Sequence, residues 1–251
     1  MIALLSPAKT LDFETPLPDA AATVPVFADR AEQIARGAAR LGAGKLGTLM
    51  KISPKLATLN AARFRGFADA EQRPAIRAFA GDVYAGFEAR SLEAHAIAFA
   101  QNHLRILSGL YGVLRPLDAI RPYRLEMGTR WAPGRHKDLY GYWDDAVAER
   151  IAADVAEEGS GTVLNLASQE YWHVAEGRLP PAVRVIAVDF REAGPDGPRF
   201  VSFHAKRARG AMARWMCEHR VTQADDMRGF DADGYRFDAG ASSDNRWTFV
   251  R

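Results

Sequence analysis

The chain has 251 residues, 48% hydrophobic and 25% charged, with a net charge of +2 and one cysteine, Cys217. A chain of this size buries one sizeable core, so disorder, collagen and a coiled coil are excluded as overall descriptions. One cysteine permits no intramolecular disulfide, no apolar run approaches the roughly 20 residues of a membrane helix, and the first residues lack a signal-peptide pattern. We therefore expect a cytoplasmic protein without a membrane partner.

Alternating strand and helix patterns predict one mixed α/β domain. Short apolar runs predict strands, and apolar residues at every third or fourth position predict helices. No repeat, linker or change in composition divides the chain, so we expect a single domain over residues 1–251. In chain order, the predicted elements are a strand at 2–6, helices at 27–41, 45–51, 53–64 and 89–107, an ordered loop at 111–131, a helix at 140–157, a strand at 162–167, a hairpin at 183–190 and 199–204, a helix at 205–219, and short strands and turns at 229–251.

The small net charge conceals three strongly basic segments. Residues 45–65 and 101–137 each carry a net charge of +5, residues 205–220 carry +4, and the rest of the chain carries −12. If these segments converge in space, they form a surface for a polyanion. If they do not converge, they are three separate solvated faces.

Motifs for covalent, metal or nucleotide chemistry are weak or missing. Ser6-Pro-Ala-Lys9 has the spacing of a Ser-x-x-Lys nucleophile pair, but it follows a strand and lacks the partner motifs, so Lys9 is better interpreted as an anion ligand at a strand end. The six histidines show no metal-ligand spacing, and neither a Gly-x-Gly-x-x-Gly nor a Walker lysine motif occurs. No metal and no cofactor are predicted.

The helix pair at about 45–65 has most parts of a helix-hairpin-helix module. Ser53 can cap the second helix and Pro54 suits its first position, so backbone amides and nearby lysines such as Lys51 and Lys55 would meet a phosphate. The pair lacks the Gly-x-Gly turn that most such modules use. The alternative is an ordinary helical corner whose leucines belong to the core, namely Leu46, Leu49, Leu56 and Leu59.

The densest polar stretch lies between His103 and Gly128. Its four arginines are interleaved with two tyrosines, a pattern that can clamp phosphates and stack on bases. Asp118 and Glu126 would orient the guanidinium groups. The alternative is a structural arginine–carboxylate network that holds a long loop in place. The arginines and tyrosines are Arg105, Arg115, Arg121, Arg124, Tyr111 and Tyr123.

Five segments resemble those of the YaaA family of peroxide-stress proteins, and they occur in that family's order. The resemblance covers essentially the whole chain, and its longest run is specific enough to exclude chance. The segments are Ser6-Pro-Ala-Lys-Thr10, Leu104-Arg-Ile-Leu-Ser-Gly-Leu-Tyr-Gly-Val-Leu-Arg-Pro-Leu-Asp118, Pro122-Tyr-Arg-Leu-Glu-Met-Gly128, Asn165-Leu-Ala-Ser168 and Ala205-Lys-Arg-Ala-Arg-Gly210.

This resemblance implies a cytoplasmic protein of the oxidative-stress response, with an α/β fold peculiar to the family. It also implies a basic cleft and a helix-hairpin-helix element that binds duplex and branched DNA, such as a bubble or junction, and an association with low free iron under peroxide. Pro54 and the short acidic run Phe237-Asp-Ala-Gly240 depart from the family pattern. Together with the basic segments, the resemblance predicts that DNA contacts Lys9, Lys51, Lys55, Arg63, Arg105, Arg115, Arg121, Arg124, Lys206 and Arg209, with support from Ser6, Tyr111, Asp118, Tyr123 and Glu126.

Three functions are consistent with these observations. The leading hypothesis is a non-catalytic DNA-binding protein with little sequence preference, which limits peroxide and iron damage. The rival is an enzyme that acts on a nucleobase or nucleotide in the same cleft, with Asp118 or Glu126 as general acid or base. A third function, direct handling of iron, lacks a recognisable ligand cluster in the sequence. The sequence does not specify the oligomeric state.

Overall fold

The computed structural model describes residues 1–16 and 22–251. The strands are β1 (Ile2–Leu5), β2 (Thr10–Leu11), β3 (Arg73–Pro74), β4 (Phe79–Ala80), β5 (Leu104–Ser108), β6 (Gly112–Leu114), β7 (Ala119–Ile120), β8 (Thr162–Asn165), β9 (Arg184–Arg191), β10 (Arg236–Phe237) and β11 (Arg246–Val250). The α-helices are α1 (Ala28–Ala39), α2 (Gly42–Met50), α3 (Pro54–Arg65), α4 (Ala75–Ala78), α5 (Asp82–Phe87), α6 (Ala94–His103), α7 (Leu139–Trp143), α8 (Ala146–Glu158), α9 (Gln169–Trp172) and α10 (Ser202–His219). Within these two ranges, no helix is long and apolar enough to cross a membrane.

Seven of the strands form one sheet, in the order β10-β11-β9-β8-β1-β5-β6. The five inner strands are parallel, and β10 and β6 pair antiparallel at the two edges. Numbered along the chain, the parallel strands lie in the spatial order 2-1-3-4-5, so the strand order reverses at β1. The predicted mixed α/β fold class is confirmed.

Helices cover both faces of this sheet. β1 is buried along its whole length, which is typical of a central strand in a parallel sheet. On one face, Asp154 of α8 contacts Arg105 of β5. On the other face, Trp215 of α10 packs against Phe230, which in turn packs on Phe190 of β9.

The predicted helix at 89–107 is confirmed only over Ala94–His103, since residues 89–91 form a separate 3-10 turn. Residues 104–108 form β5 instead, and they pair in parallel with β1. The apolar pattern of this segment fits a buried strand as well as a helix. Pairing with β1 satisfies the backbone hydrogen bonds of the segment, and therefore decides its structure.

The predicted hairpin at 183–204 is also wrong. β9 pairs in parallel with β8 and β11, and Arg199 makes only an isolated bridge with Glu192 before α10 begins at Ser202. The strand at 2–6, the three helices between 27 and 64, the strand at 162–167 and the helix at 205–219 are confirmed with small shifts of their ends. The helix at 140–157 is divided into α7 and α8.

Two glycines bring α10 against α5 at the carboxyl edge of the sheet. A Cβ atom at Gly210 would lie 1.7 Å from the Val83 carbonyl oxygen, and one at Gly86 would lie 2.0 Å from the Arg207 carbonyl oxygen. Any side chain at either position would separate the helices. This close packing fixes the first half of α10, which carries Lys206 and Arg209.

Candidate nucleic-acid interface

A group of polar residues lies where the strand order reverses, beyond the carboxyl ends of β1 and β8. Open α/β sheets bind ligands at this point of their topology. The Ser168 backbone N–H donates a hydrogen bond to Ser6 Oγ at 2.8 Å, and the two hydroxyl oxygens lie 3.3 Å apart. We call Ser6, Lys9, Arg124, Glu126 and Ser168 the carboxyl-edge cluster.

Glu126 holds the two cations of the carboxyl-edge cluster. Its Oε1 accepts a hydrogen bond from Arg124 Nε at 3.1 Å and lies 3.5 Å from Lys9 Nζ. Its Oε2 is buried and has no hydrogen-bond partner in the part of the chain that the structure describes. Gly109, just after β5, lets the loop that carries Arg124 and Glu126 approach closely, because a Cβ atom at Gly109 would lie 2.5 Å from the Leu125 carbonyl oxygen. Both cations therefore already share one carboxylate.

Buried tyrosines form hydrogen bonds with residues at the carboxyl edge of the sheet. The Tyr84 hydroxyl donates to the Ser6 carbonyl oxygen at 3.1 Å, and the Tyr123 hydroxyl shares a 2.6 Å hydrogen bond with the Ser108 hydroxyl. Burial raises the pKa of Tyr111 to about 12. Tyr111 and Tyr123 are only 2% and 4% exposed, so neither ring is accessible for stacking on a base in this structure.

Arg105 belongs to a buried ion-pair network. Its Nε donates to Asp154 Oδ2 at 2.7 Å, and its Nη1 donates to the Leu104 carbonyl oxygen at 2.7 Å. Arg150 binds the other oxygen of the same carboxylate. Burial alone would raise the pKa of Asp154, but the hydrogen bonds and charges of the two arginines outweigh burial and lower this pKa. The Arg105 guanidinium is therefore held by the protein itself.

Arg115 is likewise committed to a carboxylate. Asp118 accepts hydrogen bonds from the Arg115 backbone N–H at 2.8 Å, from its Nε at 3.2 Å and from the Thr23 hydroxyl at 2.6 Å. Arg115 and Arg105 line a pocket of about 650 Å³ beside the start of β5. Lys9, Arg124 and Glu126 do not line this pocket. The predicted arginines of this stretch therefore do not share one cleft.

Arg121 points toward the segment that follows α3. Its Nη2 donates to the Ala68 carbonyl oxygen at 3.2 Å, and its guanidinium lies over the Phe67 ring at 5.4 Å. Its backbone N–H donates to the Tyr111 hydroxyl at 3.0 Å. Arg121 thus fastens the loop to the helical layer.

The helix pair α2–α3 differs from these networks. Lys51 ends α2 in the left-handed conformation, with φ 51°, and Ser53 Oγ accepts a hydrogen bond from the Leu56 backbone N–H at the start of α3. Leu56 and Leu59 are 37% and 44% exposed, so these two leucines are not core residues. Within the described ranges, the five cations of the pair make no ion pair; they are Lys45, Lys51, Lys55, Arg63 and Arg65.

Lys206 and Arg209 lie on the first half of α10, close to the carboxyl edge. Lys206 Nζ lies 3.7 Å from Asp82 Oδ2 at the start of α5. Burial lowers the pKa of Arg209, and the charge of Asp189 only partly offsets this effect. Lys206 faces solvent, whereas Arg209 is mostly enclosed.

The predicted site residues therefore do not share one cleft: Arg121 lies against the segment after α3, Lys206 and Arg209 lie on α10, and most of the others fall into three places. Lys9, Arg124, Glu126 and Ser6 meet at the carboxyl edge, Arg105 and Arg115 line the pocket beside β5, and Lys51, Lys55 and Arg63 lie on α2–α3. Sequence reasoning did not single out Ser168 as a site residue. Its position just after a predicted strand next to β1 is the signal that identifies it.

These features define a mixed α/β protein with polar residues at the reversal of strand order. Its helix pair α2–α3 is basic, and the cations of this pair make no ion pair within the described ranges. Among the residues that the structure describes, no group of three or more histidine, cysteine, aspartate or glutamate side chains is placed to hold a metal ion.

Comparison with known proteins agrees with the resemblance seen in the sequence. Residues 1–241 match the family described as peroxide stress protein YaaA. A UPF0246 protein of Rhizorhabdus wittichii is 58% identical over 251 residues, covering 100% of this chain and 99% of the relative. UPF0246 proteins of Cupriavidus pinatubonensis and Idiomarina loihiensis are 47% and 46% identical, each covering 100% of this chain and 98% of the relative. The chain belongs to the YaaA family of peroxide stress proteins.

Proposed function

We propose that this peroxide-stress protein is cytoplasmic and binds the DNA backbone through the helix pair α2–α3, with little sequence preference. One observation carries the proposal. Residues 45–65 contain five cations and no acidic residue, and no carboxylate from the rest of the described chain pairs with them. A phosphate would therefore meet positive charge that the fold leaves uncompensated.

Three of the other predicted cations are already occupied by carboxylates, whereas Arg121 donates to the Ala68 carbonyl oxygen and Arg209 is mostly enclosed. Arg105 pairs with Asp154, Arg115 with Asp118, and Arg124 with Glu126. A phosphate would have to compete with each of these carboxylates, and in the case of Arg105 would also have to reach a buried group. The helix pair is therefore the better phosphate site.

The start of α3 adds a second favourable contribution. A helix amino terminus carries partial positive charge and free backbone amides, which favour an anion. α3 has 12 residues, and Ser53 satisfies the Leu56 amide. Lys51 and Lys55 lie just before and just inside this terminus. An approaching phosphate would thus meet two ammonium groups and the helix dipole together.

Titration of a 20-base-pair duplex at several salt concentrations tests this proposal. We expect K51Q/K55Q to bind the duplex more weakly, and the logarithmic salt slope to fall by about 1 to 2, because each lost phosphate contact removes roughly 0.9. A bubble and a four-way junction, titrated in parallel, show whether branched DNA is preferred.

R184Q/R220Q is the matched control, because it also removes two charges. Arg220 ends α10 in the left-handed conformation with φ 51°, as Lys51 ends α2. Arg184 lies at the start of β9, on the amino edge of the sheet. We expect the control to keep the wild-type salt slope. Equal losses in the two double variants would contradict the proposed site, since they would report only the net charge.

A second candidate function is catalysis on a nucleobase or nucleotide at the carboxyl-edge cluster. Glu126 Oε2, buried and unpartnered among the described residues, supports this candidate, because a carboxylate with a free oxygen can act as general acid or base. A catalyst should lose turnover by roughly 100-fold or more in E126Q. A DNA-binding protein should keep its duplex affinity within a few-fold in the same variant.

A further inference from the structure

Two phenylalanines stand out on the surface near the carboxyl edge. Phe200 and Phe203 are 52% and 54% exposed, and they are the exposed aromatic residues of the described chain. Large aromatic side chains usually lie in the core, because burying one stabilises a fold by about 1.5–3 kcal/mol. Two exposed rings three positions apart therefore indicate a contact surface.

Basic residues flank both phenylalanines along the chain, and one of them, Arg191, lies over the Phe200 ring. Phe203 lies in the first turn of α10, and Lys206 and Arg207 follow three and four positions later, on the same helix face. The Arg191 guanidinium lies 5.7 Å from the centre of the Phe200 ring, and Arg199 immediately precedes Phe200. We call Phe200 and Phe203 with these four cations the aromatic patch.

The cations of the aromatic patch are only loosely held. Lys206 Nζ lies 3.7 Å from Asp82, and Arg207 Nε lies 3.8 Å from Asp233, both beyond hydrogen-bond distance. Each of the two side chains is about half exposed, and such surface ion pairs are weak. A phosphate can replace either carboxylate at little cost.

We propose that the aromatic patch binds unpaired nucleobases, with Phe200 and Phe203 stacking on the bases and Lys206 and Arg207 contacting the backbone. Alternating aromatic and basic side chains are the means by which proteins hold single strands, since every base has a flat face. Bases inside a duplex are stacked on each other and closed to these rings. The proposal rests on the proposed function and adds to it a preference for single-stranded regions.

The distribution of apolar residues along α10 argues against a lipid surface as the partner of the aromatic patch. An interfacial helix presents a continuous apolar face to the membrane. The apolar residues of α10 beyond Phe203 are instead buried in the core, among them Ala205, Ala208, Met212 and Met216. Two rings at one end of a helix that is otherwise committed to the core fit individual bases better than a membrane.

Fluorescence anisotropy with labelled oligonucleotides tests the proposal. The variant F200L/F203L keeps the apolar character and removes the rings, and neither change reaches the core. We expect its affinity for a 20-nucleotide oligothymidine to fall by at least roughly tenfold. Its affinity for a 20-base-pair duplex should change by less than about twofold. The salt slope should stay the same, because no charge is removed. V24A/V26A, which alters the exposed apolar pair Val24 and Val26, should behave as the wild type.

Abasic oligonucleotides separate base stacking from backbone contacts. The wild type should prefer oligothymidine to an abasic strand of equal length, and F200L/F203L should lose this preference. If the wild type binds the duplex but F200L/F203L binds oligothymidine as tightly as the wild type, the stacking proposal is wrong and the proposed function stands. If the wild type binds neither nucleic acid, both are wrong. Wild-type binding to phosphatidylserine vesicles, combined with unchanged oligothymidine affinity in F200L/F203L, would assign the aromatic patch to a lipid surface instead.

Discussion

The helix pair at 45–65 and the stretch at 101–137 carry the same net charge of +5, yet the fold pairs their cations with carboxylates to different extents. In the second stretch, Arg105, Arg115 and Arg124 pair with the carboxylates of Asp154, Asp118 and Glu126. The other four cations of this stretch, Arg121, Arg130, Arg135 and Lys137, make no ion pair among the described residues. In the first, no cation has an acidic partner among the described residues; Lys45, Lys51, Lys55 and Arg65 are exposed, and Arg63 is partly buried. Equal charge in sequence therefore corresponds to two different electrostatic surfaces.

The difference originates in residues that are distant along the chain. Asp154 belongs to α8, 49 positions after Arg105, and only the packing of α8 against the sheet brings the two together. α2 and α3 pack on each other and on α1, and the acidic residues of α1 do not reach their lysines. Charge counts by segment locate basic residues, and tertiary contacts decide which of them are available to a ligand.

The largest expected effect is on the stability of the fold, at the buried ion pair between Arg105 and Asp154. Arg105→Ala leaves the Asp154 carboxylate buried beside one arginine fewer, so we expect the free energy of unfolding to fall by about 3–5 kcal/mol. Urea denaturation followed by circular dichroism measures this loss. R105M/D154L removes both charges and should recover most of the stability. An Arg105→Ala protein as stable as the wild type would show that the pair contributes nothing to the fold.

The same pair should make stability depend on acid. The pKa of Asp154 is lower in the folded protein than its ordinary value of 3.8, because the contributions of Arg105 and Arg150 outweigh burial. A carboxyl group of this kind stabilises the fold above its unfolded pKa, and this stability is lost as the pH falls through the lower, folded value. We expect R105M/D154L to lose stability less steeply than the wild type below about pH 4. Parallel profiles of the two proteins, measured by urea midpoints, would contradict this assignment.

How far the sequence predicts this molecule depends on whether a signal is local. Ser53 and Pro54 predicted the start of α3 because capping acts within four residues. The strand at 104–108 was missed because its apolar pattern fits either a helix or a buried strand, and its partner β1 is about 100 positions away. Phe200 and Phe203 were missed as surface residues because the predicted hairpin placed them in a strand.

The site was predicted only in part for the same reason. The longest family-like segment, from Leu104 to Asp118, contains strand, turn and ion-pair residues, and the comparisons confirm the family that it indicates. Its residue types do not show which arginines are neutralised. Lys9 was identified as an anion ligand by its place after a strand, which is a local signal, and Ser6 was included as a supporting residue with the family resemblance. The hydrogen bond between Ser6 and Ser168 joins segments 162 positions apart, so it required the fold.

A smaller effect on the stability of the protein is expected from changes in the helix pair α2–α3. K51Q/K55Q removes two exposed ammonium groups that make no ion pair within the described chain, so its free energy of unfolding should differ from that of the wild type by less than about 0.5 kcal/mol. Urea denaturation at neutral pH gives this value. A loss of several kcal/mol would mean that these lysines support the fold, and that their charge is not free for a ligand.

We propose that the unpaired cations of α2–α3 bind DNA, whereas arginines paired with carboxylates, such as Arg105 and Arg115, hold the fold. The most direct test is the logarithmic salt slope of duplex binding for two single variants, Lys55→Gln and Arg115→Gln, each of which removes one charge. We expect Lys55→Gln to reduce the slope by about 0.9 and Arg115→Gln to leave it unchanged, because Arg115 already neutralises Asp118. A reduced slope in Arg115→Gln with an unchanged slope in Lys55→Gln would contradict the claim and move the DNA site to the 101–137 stretch.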